Sequence, residues 1–358
     1  MVGPSLLQLP YFALAYARPK LRQDPNWTYR QAFTNSVLKA CLRNWVALHL
    51  RWPLSMKPHS ESDRFVWIPP ANSDLYTRVV VDEKIKPETI GGTWYPAPDS
   101  AQTALPEGQH VVLHLHGGSY ILGDGRSSSC KFLVQTLLEH TPSSYILCPQ
   151  YRLAGNRNGH FPAQLQDTIA SYAYLIHTIR IPASRIILSG DSAGADLALA
   201  MLRYIVEFDN RSLLPAPKCC WLWSPWCDVP AAVDPDHWNH SANYRTDYIP
   251  GSFPARGAKL FLRTVDVTKS IERYVAPVLH PFVVPSPVLI VTGDREVLFE
   301  EHVKLARGLE GLARKEAPVE LFVAKGVPHD IMMIAWIMGF EKEARECATK
   351  AGEFVDRL

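Results

Sequence analysis

The sequence predicts an α/β protein, a mostly parallel central sheet with helices on both faces, and three observations carry that reading. Short apolar runs at 110–115, 145–148, 185–188, 218–223, 288–291 and 319–323 alternate with helix-length patterns at 131–140, 163–179, 195–208 and 301–312. The runs are nearly unbroken stretches of branched and aliphatic side chains, the pattern of strands covered on both faces. Finally, 358 residues at 47% hydrophobic content suffice for one large core carrying an accessory cap.

Before the sheet, residues 6–17 are apolar and end in Ala15-Tyr16-Ala17, which resembles a signal-peptidase site. No Lys or Arg precedes them, and Gln8 and Pro10 interrupt the run, so the expectation is an arm packed on the cap, with weak membrane-surface contact as its other use. From 28 to 52 a long amphipathic helix is expected, with Phe33, Val37, Leu38, Cys41, Leu42, Trp45 and Leu48 as its apolar stripe and Trp52-Pro53 closing it. Residues 77–82 and 92–96 read as two antiparallel strands, followed by a Pro/Ser/Ala-rich loop over 96–108.

The interval after Asp228 breaks the alternation. It is rich in Pro, Asp, Asn, His and aromatic residues, with only 258–264 looking helical, and reads as a lid. The expected division is an N-terminal cap segment over 1–75, core over 76–228, a cap insertion over 229–281, and the second part of the core over 282–358. Tyr120, Trp238, Tyr244 and Tyr248 are the candidate pocket aromatics.

A formal charge of +2 with no Lys/Arg block argues against a nucleic-acid partner. The seven cysteines are odd in number and scattered, apart from the adjacent Cys219-Cys220 that cannot easily bridge each other, so reduced thiols and a cytoplasmic location are expected. No Cys-x-x-Cys pair and no 18-residue apolar run occur, so neither a zinc site nor a spanning helix is expected. No cofactor is expected either.

The chemistry gathers at strand ends. The apolar run Ile186 to Leu188 meets Gly190-Asp191-Ser192-Ala193-Gly194 and passes into a helical pattern with Leu197, Met201 and Ile205. Glycines two before and two after Ser192 remove side chains that would collide where strand and helix nearly touch. The serine hydroxyl is thereby held out as a nucleophile, and the Ala193 N–H opens the helix toward a developing oxyanion. Upstream, His116-Gly117-Gly118 ends the first core strand, and the N–H groups of Gly117 and Gly118 can approach the same oxyanion. His116 reads as a loop-positioning residue. Downstream, Gly293-Asp294-Arg295-Glu296-Val297-Leu298 offers two carboxylates, either of which can orient a base, and His329 follows the last strand. The order serine, acid, histidine makes His329 the general base. His49, His59, His110, His140 and His177 read as structural, and His114 has no partner legible in sequence.

With these residues in hand, the chain resembles the hormone-sensitive-lipase type of α/β-hydrolase, esterases with an HGG loop and a GDSAG elbow. The match runs from about residue 77 to the C-terminus. It includes His116-Gly-Gly118, Tyr151-Arg-Leu-Ala154, Phe161-Pro162 with Asp167, Gly190 to Gly194, Ser224-Pro-Trp226 with Asp228, Gly293-x-x-Glu296-x-Leu298, and His329. Departures are Ser119 where a third glycine is common, Gln150 where Asp is usual, and Gly155 in place of proline. The resemblance implies the α/β-hydrolase fold with a helical cap, a triad of Ser192, Glu296 and His329 with Asp294 as the alternative acid, and hydrolysis of carboxylic esters without metal or organic cofactor. A hydrophobic small-molecule ester is the expected partner, and a homodimer is a further possibility. Acyl transfer to an alcohol or amine uses the same triad. The gibberellin receptors resemble this fold but replace the histidine, which is present here.

Overall fold

Eight strands form one sheet in a computed structural model that describes residues 7–97, 106–208, 210, 212–263 and 265–358. The strands are β1 Phe65–Ile68, β2 Ile90–Tyr95, β3 His110–Leu115, β4 Ser143–Gln150, β5 Ile186–Asp191, β6 Cys219–Trp223, β7 Val288–Gly293 and β8 Val319–Ala324. They lie in the order β1-β2-β4-β3-β5-β6-β7-β8. β1 and β2 pair antiparallel, as do β2 and β4, and every later pairing is parallel. In β5, β6 and β7 every residue is buried, which is why they read as unbroken apolar runs.

The helices are α1 Leu9–Ala15, α2 Tyr29–Ala47, α3 Ser127–His140, α4 Ala163–Ala173, α5 Ala193–Glu207, α6 Ser252–Phe261, α7 Lys269–Val275, α8 Phe299–Glu310, α9 Ile331–Met338 and α10 Glu341–Asp356. α4 packs with α5, while α3, α9 and α10 form a second group, so helices cover both faces of the sheet. The parallel strands run toward one edge, where the loops after β3, β5, β7 and β8 meet, the usual location of a ligand site in such sheets.

Three expectations change. Residues 77–82 are not a strand: 78–80 form a single 3₁₀ turn with Arg78 at φ 54°. Their backbone is satisfied by side chains instead of a ladder, since Gln166 Nε2 donates to Val80 O at 2.8 Å and the Thr77 N–H donates to Tyr204 Oη at 2.9 Å. The true first strand is β1, inside the stretch assigned to the N-terminal cap segment over 1–75. Only four residues long and followed by Pro69-Pro70, it leaves little pattern to read.

α2 is also reversed in character. Its buried side chains are Gln31, Asn35 and Asn44 beside Ala32 and Ala40, while Phe33, Leu38, Leu42 and Trp45 are half-buried and Cys41 is exposed. The helix packs against α1, α6 and α9, and its polar side chains also meet backbone carbonyls. Gln31 Nε2 donates to Gly339 O at 2.8 Å. A capping box starts it: Thr28 Oγ1 accepts from the Gln31 N–H, and Gln31 Oε1 accepts from the Thr28 N–H at 2.7 Å.

The insertion holds two helices, not one, and they divide. α6 packs against α2, with the Trp45 and Phe253 rings 5.9 Å apart. α7 packs against α5, where Tyr274 Oη donates to Glu207 Oε2 at 2.8 Å. Among the expectations above, Leu6, Thr264 and the loop positions 98–105 lie outside the described residues.

Candidate active site

Ser192 sits between β5 and α5 at φ 50°, ψ −114°, a region non-glycine residues seldom occupy and one characteristic of functional turns. The flanking glycines are sterically required. A Cβ on Gly190 would lie 2.2 Å from Gly194 O, and one on Gly194 would lie 1.9 Å from Leu115 O. The Ser192 N–H donates to Trp223 O at 2.8 Å, which ties the turn to β6.

Ser192 Oγ is 2.9 Å from His329 Nε2, and His329 Nδ1 is 3.0 Å from Glu296 Oε2. Glu296 is fully buried, and its other oxygen accepts from Ser224 Oγ at 2.7 Å and from the Gly293 N–H. Burial opposes charge on His329, but the Glu296 hydrogen bond and the charges of Glu296, Asp247 and Asp191 outweigh it and hold the imidazole above its usual value. Asp294 does not reach the imidazole in this arrangement. It accepts from the Gly326 N–H at 2.7 Å and pairs with Arg295 at 3.2 Å, the turn-binding role common for such a residue.

The glycine loop after β3 corrects one expectation. The Gly117 N–H already donates to Asp191 Oδ2 at 2.8 Å, so it is not available to an oxyanion. Carboxylate and amide meet here because β3 and β5 are neighbours in register, Leu115 opposite Gly190. Among the described residues, no protein acceptor is bonded to the N–H groups of Gly118, Ser119 or Ala193. Gly118 is at φ 104°, and a Cβ there would lie 2.2 Å from Leu122 O. Ser119 and Tyr120 follow at φ 51° and 62°. The Ser119 amide is thus unbonded where the Gly117 amide is not. The visible signal was its position, where the resembled family carries a third glycine.

The loop is braced from behind. The His116 ring stacks on Tyr151 at 4.2 Å, and the Ala154 N–H donates to Tyr120 O at 2.7 Å. Arg152 and Asp167 are both buried and bridge at 2.7 Å, fixing the segment that carries Tyr151. His114 does have partners: Ser189 Oγ and Asp191 Oδ1 each lie 3.0 Å from a ring nitrogen.

The four candidate pocket aromatics are not brought together. Tyr248 lies beside His329, with ring centroids 6.2 Å apart. Tyr120 is fully buried, stacked on Phe261 at 4.1 Å and donating to Asp196 Oδ2 at 2.6 Å. Trp238 packs toward Trp226, and Tyr244 carries Lys39 over its ring. Tyr244 also lines a cavity of about 550 Å³ between the insertion, α1 and α2.

Sequence reasoning missed three neighbours of the triad. Asp247 is buried, accepts from the Val297 N–H at 2.8 Å, and is pushed up to about 6 by burial. Ser224 bridges Glu296 and the Asp330 N–H, and the Ser-Pro-Trp motif was its signal. His302 Nε2 donates to Pro225 O at 2.8 Å and is pushed down to about 4 by burial. Around the triad both parts of the expected cap make contact: Asn243 Nδ2 donates to Glu296 O at 2.9 Å, and Trp27 Nε1 to Gly326 O at 2.6 Å.

Among the described residues no helix is long and apolar enough to cross a membrane. In α1 and its approach, Leu7, Tyr11 and Leu14 are exposed.

The sequence profile of the α/β-hydrolase fold matches residues 112–333. An acetyl-hydrolase of Streptomyces hygroscopicus is 30% identical over 68% of this chain and 75% of its own length. An esterase of Acinetobacter venetianus is 24% identical over 93% of this chain and 97% of its own. A crystal structure of an esterase from the bacterial hormone-sensitive lipase family superposes with a TM-score of 0.61 at 20% identity, covering 99% of this chain and 98% of that one. The motifs, the fold and these likenesses converge: the chain belongs to the α/β-hydrolase fold family, among relatives named acetyl-hydrolase and esterase.

Proposed function

We propose that the protein hydrolyses carboxylic esters through an acyl-enzyme on Ser192, and the observation that carries this is the hydrogen-bonded run from Ser192 through His329 to Glu296. His329 Nε2 takes the proton of Ser192 as Oγ attacks the ester carbonyl. Glu296 holds the Nδ1–H, fixes the tautomer and stabilises the imidazolium that forms. The carbonyl oxygen, now negative, is met by the N–H groups of Gly118, Ser119 and Ala193, donors with no protein partner to give up. The imidazolium then protonates the departing alcohol. Water, activated by the same histidine, releases the acid. This route needs neither metal nor organic cofactor.

The substrate we infer is a hydrophobic small-molecule ester, a short acyl or acetyl ester of a lipid-like or natural-product alcohol. Support comes from relatives named acetyl-hydrolase, in Streptomyces hygroscopicus, and ethyl acetate hydrolase, in Pseudomonas putida. The test is a panel of p-nitrophenyl esters and acetylated metabolites, with products read by mass, on wild type and Ser192→Ala. Free acid and alcohol from the wild type alone support the reading. Products in which the acyl group has moved to another alcohol or amine establish acyl transfer in its place.

A further inference from the structure

We propose that a cationic groove between α2 and α6 binds an anionic amphiphile, an apolar body ending in a phosphate or carboxylate head, at a site separate from Ser192. The groove encloses about 880 Å³, within the range of small-molecule sites. Arg51, Arg157, Arg256, Lys259 and Arg263 line it, and among the described residues no aspartate or glutamate does. Such an excess is out of keeping with a chain whose formal charge is only +2.

Arg256 is built into the wall. It donates to Leu50 O at 2.8 Å, and its guanidinium lies 4.7 Å from the centre of the Trp45 ring. Burial, with Arg51 adding its own charge nearby, holds the Arg256 guanidinium below its usual value. The other four cations are exposed, and among the described residues none has a carboxylate partner. Asp234 and Asp236, which flank the lining residue Pro235, are turned to their own loop. Asp234 accepts from the Asp236 N–H at 3.0 Å, and Asp236 accepts from Asn239 Nδ2 at 2.5 Å.

Exposed cations alone hold a small anion weakly, because salt screens them. Here the apolar side chains of Trp45, Leu50, Ile121 and Leu260 share the groove, so an occupant with a hydrocarbon body gains burial as well as charge pairing. Gly155 is a second, independent sign. Its φ is not left-handed, and a Cβ there would meet nothing within 4 Å, so neither the turn nor its neighbours demand glycine. It lines the groove, and the missing side chain leaves space there for an occupant.

α6 separates this groove from the hydrolytic centre. On its other side, a Cβ at Gly257 would lie 2.3 Å from Ser119 O, and Phe261 stacks on Tyr120. The inference therefore stands whether or not Ser192 proves to be the nucleophile.

The test is direct titration of Ser192→Ala protein with dodecyl phosphate below its micelle concentration, followed by tryptophan fluorescence or calorimetry. Inorganic phosphate, dodecyl maltoside and dodecyltrimethylammonium are the parallel probes. Saturable binding of dodecyl phosphate, at least about tenfold tighter than any of these and weakened by salt, is expected. Arg157→Glu with Arg263→Glu, and separately Gly155→Phe, should each weaken it at least about tenfold while leaving Tm at the parent value. Equal affinity in parent and charge-reversed protein overturns the proposal, as does inorganic phosphate or the cationic amphiphile binding as tightly. Binding confined to phosphatidylglycerol vesicles, with none to monomeric dodecyl phosphate, also overturns it and assigns the charge to membrane docking.

Discussion

The two sides of Ser192 are built in opposite ways. On the base side the triad and its supports are bonded before a substrate arrives: His329 between Ser192 and Glu296, Glu296 Oε1 on Ser224 and Gly293, Asp247 on Val297 and Ile249. On the side proposed to meet the oxyanion, three consecutive left-handed residues, Gly118 to Tyr120, carry amides with no acceptor among the described residues. Groups that must already be correct in the ground state are locked, and groups whose partner exists only in the transition state are left open. Asp191 stands between the two. By taking the Gly117 N–H it removes one donor from the oxyanion side and fixes the loop that presents the next two.

If this division holds, the variants rank accordingly. Ser192→Ala should lower turnover by about a million-fold, the scale seen when a nucleophile is removed from such a triad, and should abolish fluorophosphonate labelling measured by intact mass. Labelling that persists in this variant would sink the nucleophile assignment. Glu296→Gln preserves shape but permits the wrong imidazole tautomer, an expected loss of about ten-thousand-fold in kcat. Asp294→Asn should keep most of it, and the reverse pattern would move the acid to Asp294. On the open side, Gly118→Ala places a methyl group against Leu122 O and should cost roughly a hundred- to a thousand-fold in kcat, the worth of one oxyanion donor. Thermal melting separates this from misfolding.

The smallest effect concerns pH. His329 acts as a base only when neutral, and its pKa is raised from the ordinary histidine value, so activity should be lost as pH falls through that raised pKa. The charge of Asp247 contributes to that rise. Asp247→Asn should therefore move the acid limb of the kcat/KM profile to lower pH. A limb that stays in place would remove Asp247 from the electrostatics of the base.

What was legible in sequence divides along a related line. The elbow, the Gly293 to Leu298 turn and the His329 loop could be read because each is a local pattern at a strand end, where neighbours in sequence remain neighbours in space. Gly117 shows the limit. Glycine there signals close approach, but only the register of β3 beside β5 reveals that Asp191 has already claimed its amide. Asp247, Lys39 and Asn243 were illegible for another reason, since they lie in aperiodic or misread segments and act through contacts across the fold. Lys39 Nζ donates to Asp247 O at 3.0 Å from more than two hundred residues away.

The contacts from Trp27 to Gly326 and from Gln31 to Gly339 join positions about three hundred residues apart, which has a consequence for how the protein is made. At ordinary rates of synthesis, roughly 5–20 residues per second, α2 leaves the ribosome about 15–60 s before the loops it rests on exist. Throughout that interval the Gln31 amide lacks the Gly339 carbonyl to which it donates in the folded protein. A chain that stops short of Gly326 never gains either contact. The base loop and the N-terminal helix are thus completed together, at the end of translation.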